Sequence, residues 1–190
     1  MINIDPKTDL LLIVDVQNDF IDGSLSVKDA AEIVPILNKY IEKIPKVAVS
    51  RDWHPGNHMS FVGQGGPWPS HCVAGTRGAE LHKDLNADLF EVIVLNKATN
   101  PNVDAYSAFD GTHLDVILQD LGIKRLFIGG LATDYCVKAT VLDALKINTI
   151  DTFLLMDAIK SVNIKPGDGD KAVEEIVEAG AFPMTFAEIA

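Results

Sequence analysis

The sequence predicts an α/β fold: one three-layer domain in which a mainly parallel sheet of about six strands lies between helices. Three observations carry that prediction. Short apolar, β-rich runs alternate with longer segments of helical period, the pattern of strands joined by right-handed crossovers. A chain of 190 residues that is 47% hydrophobic and 23% charged suits one core better than two, so 1–190 reads as a single domain. Three of the runs also end in a reactive side chain: 10–14 before Asp15, 92–95 before Lys97, and 126–128 leading through Gly129-Gly130 to Cys136. Ligands bind beyond the carboxyl ends of parallel strands, so an acid/base, a cation and a nucleophile that are far apart in sequence can meet there.

Taken in order, a strand over 10–16 is followed by a helix over about 32–44, which accommodates Pro35 in its first turn. Strands over 46–50 and 92–95 come next. A helix over 112–121 has Thr112 as its N-cap and Gly122 just past its end. The strand 125–129 returns to the sheet, and a helix over about 134–146 puts Val137, Val141, Ala144 and Leu145 on one face. A strand over 152–156, a helix over roughly 169–179 and a short strand near 181–185 complete the pattern. Residues 51–77 break this rhythm with a long stretch dense in Gly, Pro, Trp and His. Loops of that length in compact domains are usually functional or disordered, and its two Trp and three His argue against disorder.

The formal net charge of −11 opposes binding to nucleic acid or to anionic membrane, both of which demand a positive surface. A small or uncharged ligand is easier to accommodate. No basic stretch followed by an apolar one opens the chain, and no run approaches bilayer-spanning length, so a cytoplasmic protein is expected. Two cysteines, Cys72 and Cys136, make no secreted disulfide framework, and free thiols are the expectation. Nothing in the sequence decides between a monomer and a homo-oligomer.

Cys136 sits where strand gives way to helix, with Thr133 or Asp134 able to cap. There the helix dipole, with help from a cation, lowers a thiol pKa into the range of about 3.5 to 7.5. Residue type alone favours a buried structural Cys, whereas the glycine-rich approach favours a nucleophile. Asp15 directly follows a buried run and needs a partner, for which Lys97 is the natural candidate. Taken singly, a hydrogen-bonded loop Asp and a solvated Lys remain the plainer alternatives. Asp52-Trp53-His54, with His58 and His71 further on, suits a divalent transition metal with open coordination positions. Spacing leaves that about even with three unrelated loop histidines. His82 and His113, on predicted helical segments, read as surface residues.

Asp15 in Val-Asp-Val-Gln-Asn-Asp-Phe, Asp52-Trp53-His54-Pro55, Trp68-Pro69-Ser70-His71-Cys72, Lys97, and Gly130-Leu131-Ala132-Thr133-Asp134-Tyr135-Cys136-Val137 occur together. Over essentially its whole length the chain resembles the nicotinamidase/pyrazinamidase branch of the isochorismatase-like hydrolases, whose fold is Rossmann-like. The resemblance implies a catalytic triad of Asp15, Lys97 and Cys136 and one divalent metal held by Asp52, His54 and His71. Zinc comes first, with manganese or iron as alternatives, and His58 is a fourth ligand or a neighbour of the ligands. It also implies nicotinamide as substrate, with pyrazinamide accepted, and a ring enclosed by Phe20, Trp68 and Tyr106. A cis peptide at Leu131-Ala132 and an oxyanion hole from the Ala132 and Cys136 N–H groups complete the implied site. The nearest alternative is a related cysteine amidase acting on a carbamoyl or ureido compound, against which the metal set argues. Isochorismatases proper lack the nucleophilic Cys, and no Gly-x-Gly-x-x-Gly follows the first strand to support a nucleotide-binding oxidoreductase. A metal-binding or redox-sensing module without turnover would leave the triad unexplained.

Overall fold

The computed structural model describes residues 1–89 and 92–190. Six strands, β1 (Asp9–Val14), β2 (Val47–Asp52), β3 (Val92–Lys97), β4 (Arg125–Leu131), β5 (Asp151–Lys160) and β6 (Phe182–Met184), form one sheet in the order β3-β2-β1-β4-β5-β6. Every pairing is parallel. The helices are α1 (Asn18–Ile21), α2 (Val34–Lys43), α3 (Leu114–Asp120), α4 (Lys138–Ala144) and α5 (Asp168–Glu178).

Side chains alternate across a strand, and β1 uses both faces. Leu11 and Ile13 pack with Leu37, Tyr40 and Ile41 of α2, while Leu10, Leu12 and Val14 pack with Leu118 of α3, Val141 of α4 and Ile176 of α5. All five of these β1 side chains are fully buried, each stabilising the fold by up to about 1.5–3 kcal/mol. That two-sided burial is why the run is continuously apolar rather than alternating. Among the described residues no helix is long and apolar enough to cross a membrane.

The strand order reverses between β1 and β4. At such a switch point the loops leaving neighbouring strands diverge to opposite faces and open a crevice at the carboxyl edge. Asp15 follows β1, and Cys136 follows β4. The two strands approach closely because Val14 pairs with Gly130, whose φ is 123° and whose Cβ, if present, would lie 2.1 Å from the Val14 carbonyl oxygen. Only glycine meets both conditions.

Several expected boundaries move. β1 ends at Val14 because Asp15 turns out of the strand at φ 52°. The first long helix begins as a 3-10 turn at Ala30–Ile33 before α2, with proline in the first turn of α2 as expected. Thr112 does not cap α3: its hydroxyl donates to the Ala108 carbonyl, and exposed His113, at φ 59°, occupies the cap position. His82 is not helical either; it is half-buried in a turn and donates its N–H to the Val16 carbonyl. β5 runs on to Lys160, four residues beyond the predicted end, because the register shifts between Ile128 and Gly130 and pairing resumes at Ile159 and Lys160. The β2–β3 connection contains short 3-10 turns and isolated β-bridges among its described residues, and it carries the three loop histidines.

Candidate active site

Asp15, Lys97 and Cys136 converge at the switch point. Asp52 and Lys97 end adjacent strands in register, and the Lys97 ammonium lies 2.5 Å from Asp52 Oδ1, 3.0 Å from Asp15 Oδ2 and 3.4 Å from Cys136 Sγ. A fourth contact, 3.2 Å long, goes to the Ala105 carbonyl. Lys97 is therefore shared by two carboxylates, where the sequence suggested a pair with Asp15 alone. Burial acts to lower the Lys97 pKa, but Asp15, Asp52 and Cys136 outweigh it and hold the amine well above its ordinary value. The two carboxylates favour the charged form of the side chain.

Asp15 is wholly buried, and its Oδ1 accepts a 2.7 Å hydrogen bond from Ser50 Oγ. Its pKa is raised by burial, an effect that Lys97 opposes and Asp52 reinforces. Cys136 also departs from expectation. Burial raises its pKa well above the thiol norm; Lys97 pulls the other way, and Asp15 and Asp52 add to the rise. Cys136 belongs to a π turn, Thr133–Val137, that lacks a side-chain cap. Asp134, one expected cap, instead accepts from the Val162 and Asn163 N–H groups. A thiol whose pKa is raised needs a base within reach, and the Asp15 carboxylate lies within 4.8 Å of the sulfur. The Leu131-Ala132 peptide just upstream is cis.

Asp52, His54 and His71 form a second buried cluster whose ligand atoms lie within 4.8 Å of one another. Asp52 Oδ2 is 3.5 Å from His54 Nε2 and 3.9 Å from His71 Nε2. Burial acts to raise the Asp52 pKa, but Lys97 and His54 outweigh it and hold the carboxyl well below the usual range. His71 Nδ1 donates to the Pro69 carbonyl at 2.8 Å, a tautomer that leaves Nε2 as a lone-pair donor. Both ring nitrogens of His54 are buried without any hydrogen-bond partner among the described residues. A buried polar atom left unpaired is costly, and a divalent ion would satisfy it, so the donor set fits a metal. His58 is already engaged: its ring nitrogens meet Ser60 Oγ at 2.8 Å and the Val103 carbonyl at 3.1 Å, and its ring packs on His54 at 4.2 Å. That arrangement places it beside the Asp52, His54 and His71 cluster. Asp15, Asp52 and Cys136 also converge within 4.8 Å, but the Lys97 ammonium already sits among them.

Both clusters open onto one cavity of about 380 Å³, its mouth included, lined by Phe20, Trp68, Tyr106, Tyr135, Asp52, His71, Ala132 and Cys136 among others. Phe20 packs 5.6 Å from the His71 ring, and the Trp68 indole N–H donates to the Tyr106 hydroxyl at 3.1 Å. Sequence reasoning missed Tyr135, which meets Trp68 edge-on at 5.1 Å, and Ser50, the hydrogen-bond donor to Asp15. Tyr135 had a signal, since it is adjacent to Cys136. Ser50 had none, because its contact spans 35 residues of sequence.

Comparison with known proteins agrees with this geometry. The chain matches the Isochorismatase domain over residues 9–188. It is 40% identical to the nicotinamidase of Escherichia coli, covering 94% of this chain and 95% of that protein. The pyrazinamidase of Pyrococcus horikoshii, solved in complex with zinc, superposes with a TM-score of 0.84 at 43% identity, over 94% of this chain and 99% of that one. PnC1 of L. infantum, solved in complex with nicotinate, gives 0.92 at 34% identity, over 100% and 98% of the two chains. With the family model spanning residues 9–188 and a curated relative 40% identical over 94% of it, the chain belongs to the isochorismatase domain family.

Proposed function

We propose that this protein hydrolyses nicotinamide to nicotinate and ammonia, and accepts pyrazinamide, through a thioester on Cys136. One observation carries the reading: the Cys136 thiol, close to the buried Asp15 carboxylate, and a metal-fitting Asp/His/His cluster share a single small aromatic cavity. The comparisons support it, since the similar proteins are a nicotinamidase, a zinc-bound pyrazinamidase and a nicotinate complex. A single divalent ion on Asp52, His54 and His71 would supply a Lewis acid that anchors the pyridine nitrogen, directly or through water. Zinc is the first choice, and manganese or iron would also suit these donors. Phe20, Trp68 and Tyr106 would enclose the ring. Two reduced thiols favour a cytoplasmic setting.

Asp15 removes the Cys136 proton, and the thiolate attacks the carboxamide carbon to form a C–S bond. The Ala132 and Cys136 N–H groups hold the oxyanion. Asp15 then returns its proton to the nitrogen as the C–N bond breaks, and ammonia leaves. A water molecule, deprotonated by Asp15, attacks the thioester; the C–S bond breaks, nicotinate departs, and the proton passes back to sulfur. Between turnovers Lys97 opposes the protonation that burial favours at Asp15 and holds the carboxylate in place.

An ammonia-release assay with nicotinamide, pyrazinamide and a carbamoyl compound, before and after chelation, tests the reading. Release from both pyridine-type amides, lost on chelation and restored by zinc, is expected. Turnover of the carbamoyl compound with none of nicotinamide would reject the proposal in favour of a related cysteine amidase.

A further inference from the structure

The segment after Asp15 carries three polar side chains for which the proposed chemistry has no use, and all three reach the loop between β2 and β3. Gln17 grips the Asp52 main chain from both sides: its Oε1 accepts the Asp52 N–H at 2.8 Å, and its Nε2 donates to the Asp52 carbonyl at 2.8 Å and the Ala79 carbonyl at 2.9 Å. Asn18 Nδ2 donates to the Arg77 carbonyl at 2.7 Å. Asp19 Oδ2 accepts the Cys72 N–H at 2.7 Å, while its Oδ1 accepts the Ser24 N–H at 3.1 Å. Ser24 Oγ donates in turn to the Ser70 carbonyl at 2.8 Å. The residues on both sides of His71 are thus held from α1 and the turn that follows it. Phe20, between the gripping side chains, packs on the His71 ring.

The Asp19 carboxylate lies in a close-fitting niche. A Cβ on Gly78 would fall 2.0 Å from Asp19 Oδ2, and one on Gly23 would fall 2.3 Å from Oδ1. Both oxygens are committed to backbone N–H groups at fixed distance, so the carboxylate determines where Cys72, and hence His71, sits relative to Asp52.

We propose that Asp19 is a positioning residue for His71: through Cys72 directly, and through Ser24 and Ser70, it sets the separation of the His71 and Asp52 ligand atoms and so the affinity of the site for its metal. The inference rests on Asp52, His54 and His71 being the metal ligands. Asp19→Asn keeps the size of the side chain but turns an NH₂ group toward one of the two N–H donors. One grip is lost, and His71 is freed to drift.

Zinc dissociation constants, measured by competition with a chromophoric chelator, test this in wild type, Asp19→Asn, Ser24→Ala and His71→Ala. Melting temperature and Cys136 alkylation rate are recorded on the zinc-free forms. His71→Ala is expected to lose tight zinc binding, and Asp19→Asn to bind zinc about 10–100-fold more weakly, as is typical when a group supporting a ligand is removed. Ser24→Ala should weaken binding by a smaller factor, and it carries the test if Asp19→Asn does not fold, because it removes only an exposed hydroxyl. Alkylation of Cys136 should be unchanged in both. A wild-type zinc constant in both variants, with only the melting temperature lowered, would overturn the proposal while leaving the metal site standing. Wild-type zinc binding by His71→Ala would instead overturn the metal-site reading, and this inference with it.

Discussion

Cys136→Ala is expected to take nicotinamide turnover below detection while leaving the fold and the zinc content intact. The substitution removes one sulfur atom from a nearly buried position and creates no buried charge, so the stability cost is on the order of 1 kcal/mol. Asp15 and Lys97 would keep their 3.0 Å contact, but no thiol would remain to attack the carboxamide. Zinc should be retained, because Sγ is not among the three donors of the Asp52, His54 and His71 cluster. Ammonia release, elemental analysis and a melting curve on one preparation check all three points. Turnover near wild type would transfer the attack to a water activated at the metal site.

Asp15→Asn should lower turnover by about 10²–10⁴-fold, the usual contribution of a general acid/base, with zinc content unchanged. The reason lies in the state of the thiol. Burial raises the Cys136 pKa well above normal, so sulfur must lose its proton to a neighbour before it can attack, and Asn accepts none. Lys97 cannot substitute as a base, since the remaining carboxylate, Asp52, still holds it protonated at 2.5 Å. Alkylation of Cys136 by a small electrophile should slow in parallel with hydrolysis. Equal alkylation rates in wild type and Asp15→Asn would separate the two residues and break the proposed triad.

The features of this site that could be read in the sequence are those tied to a strand end. The runs before Asp15 and Lys97 announce themselves as buried strands, and in a parallel sheet the next residue must emerge at the ligand-binding edge. Asp52 and His54 were readable from their Asp-x-His spacing instead, since the expected strand stopped at residue 50 whereas β2 runs on to Asp52. What escaped depends on contacts far apart in sequence or on competing electrostatic effects. The Asp15 contact to Ser50 and the Gln17 clamp on Asp52 each span 35 residues, and no local pattern marks them. The lowered thiol pKa expected at a helix start is not found, for a reason no motif reveals: burial and two carboxylates raise it, and one ammonium does not offset them. Thr112 failed as a cap because the Ala108 carbonyl, four residues back, competed for its hydroxyl.

Covalent catalysis by Cys136 is the central claim, and acid quenching during steady turnover of nicotinamide, followed by mass spectrometry of the Cys136 peptide, tests it most directly. The account predicts a mass increase of one nicotinoyl group on that peptide, present in wild type and absent from Cys136→Ala. An unmodified Cys136 peptide in actively turning-over enzyme, together with undiminished ammonia release by Cys136→Ala, would contradict it.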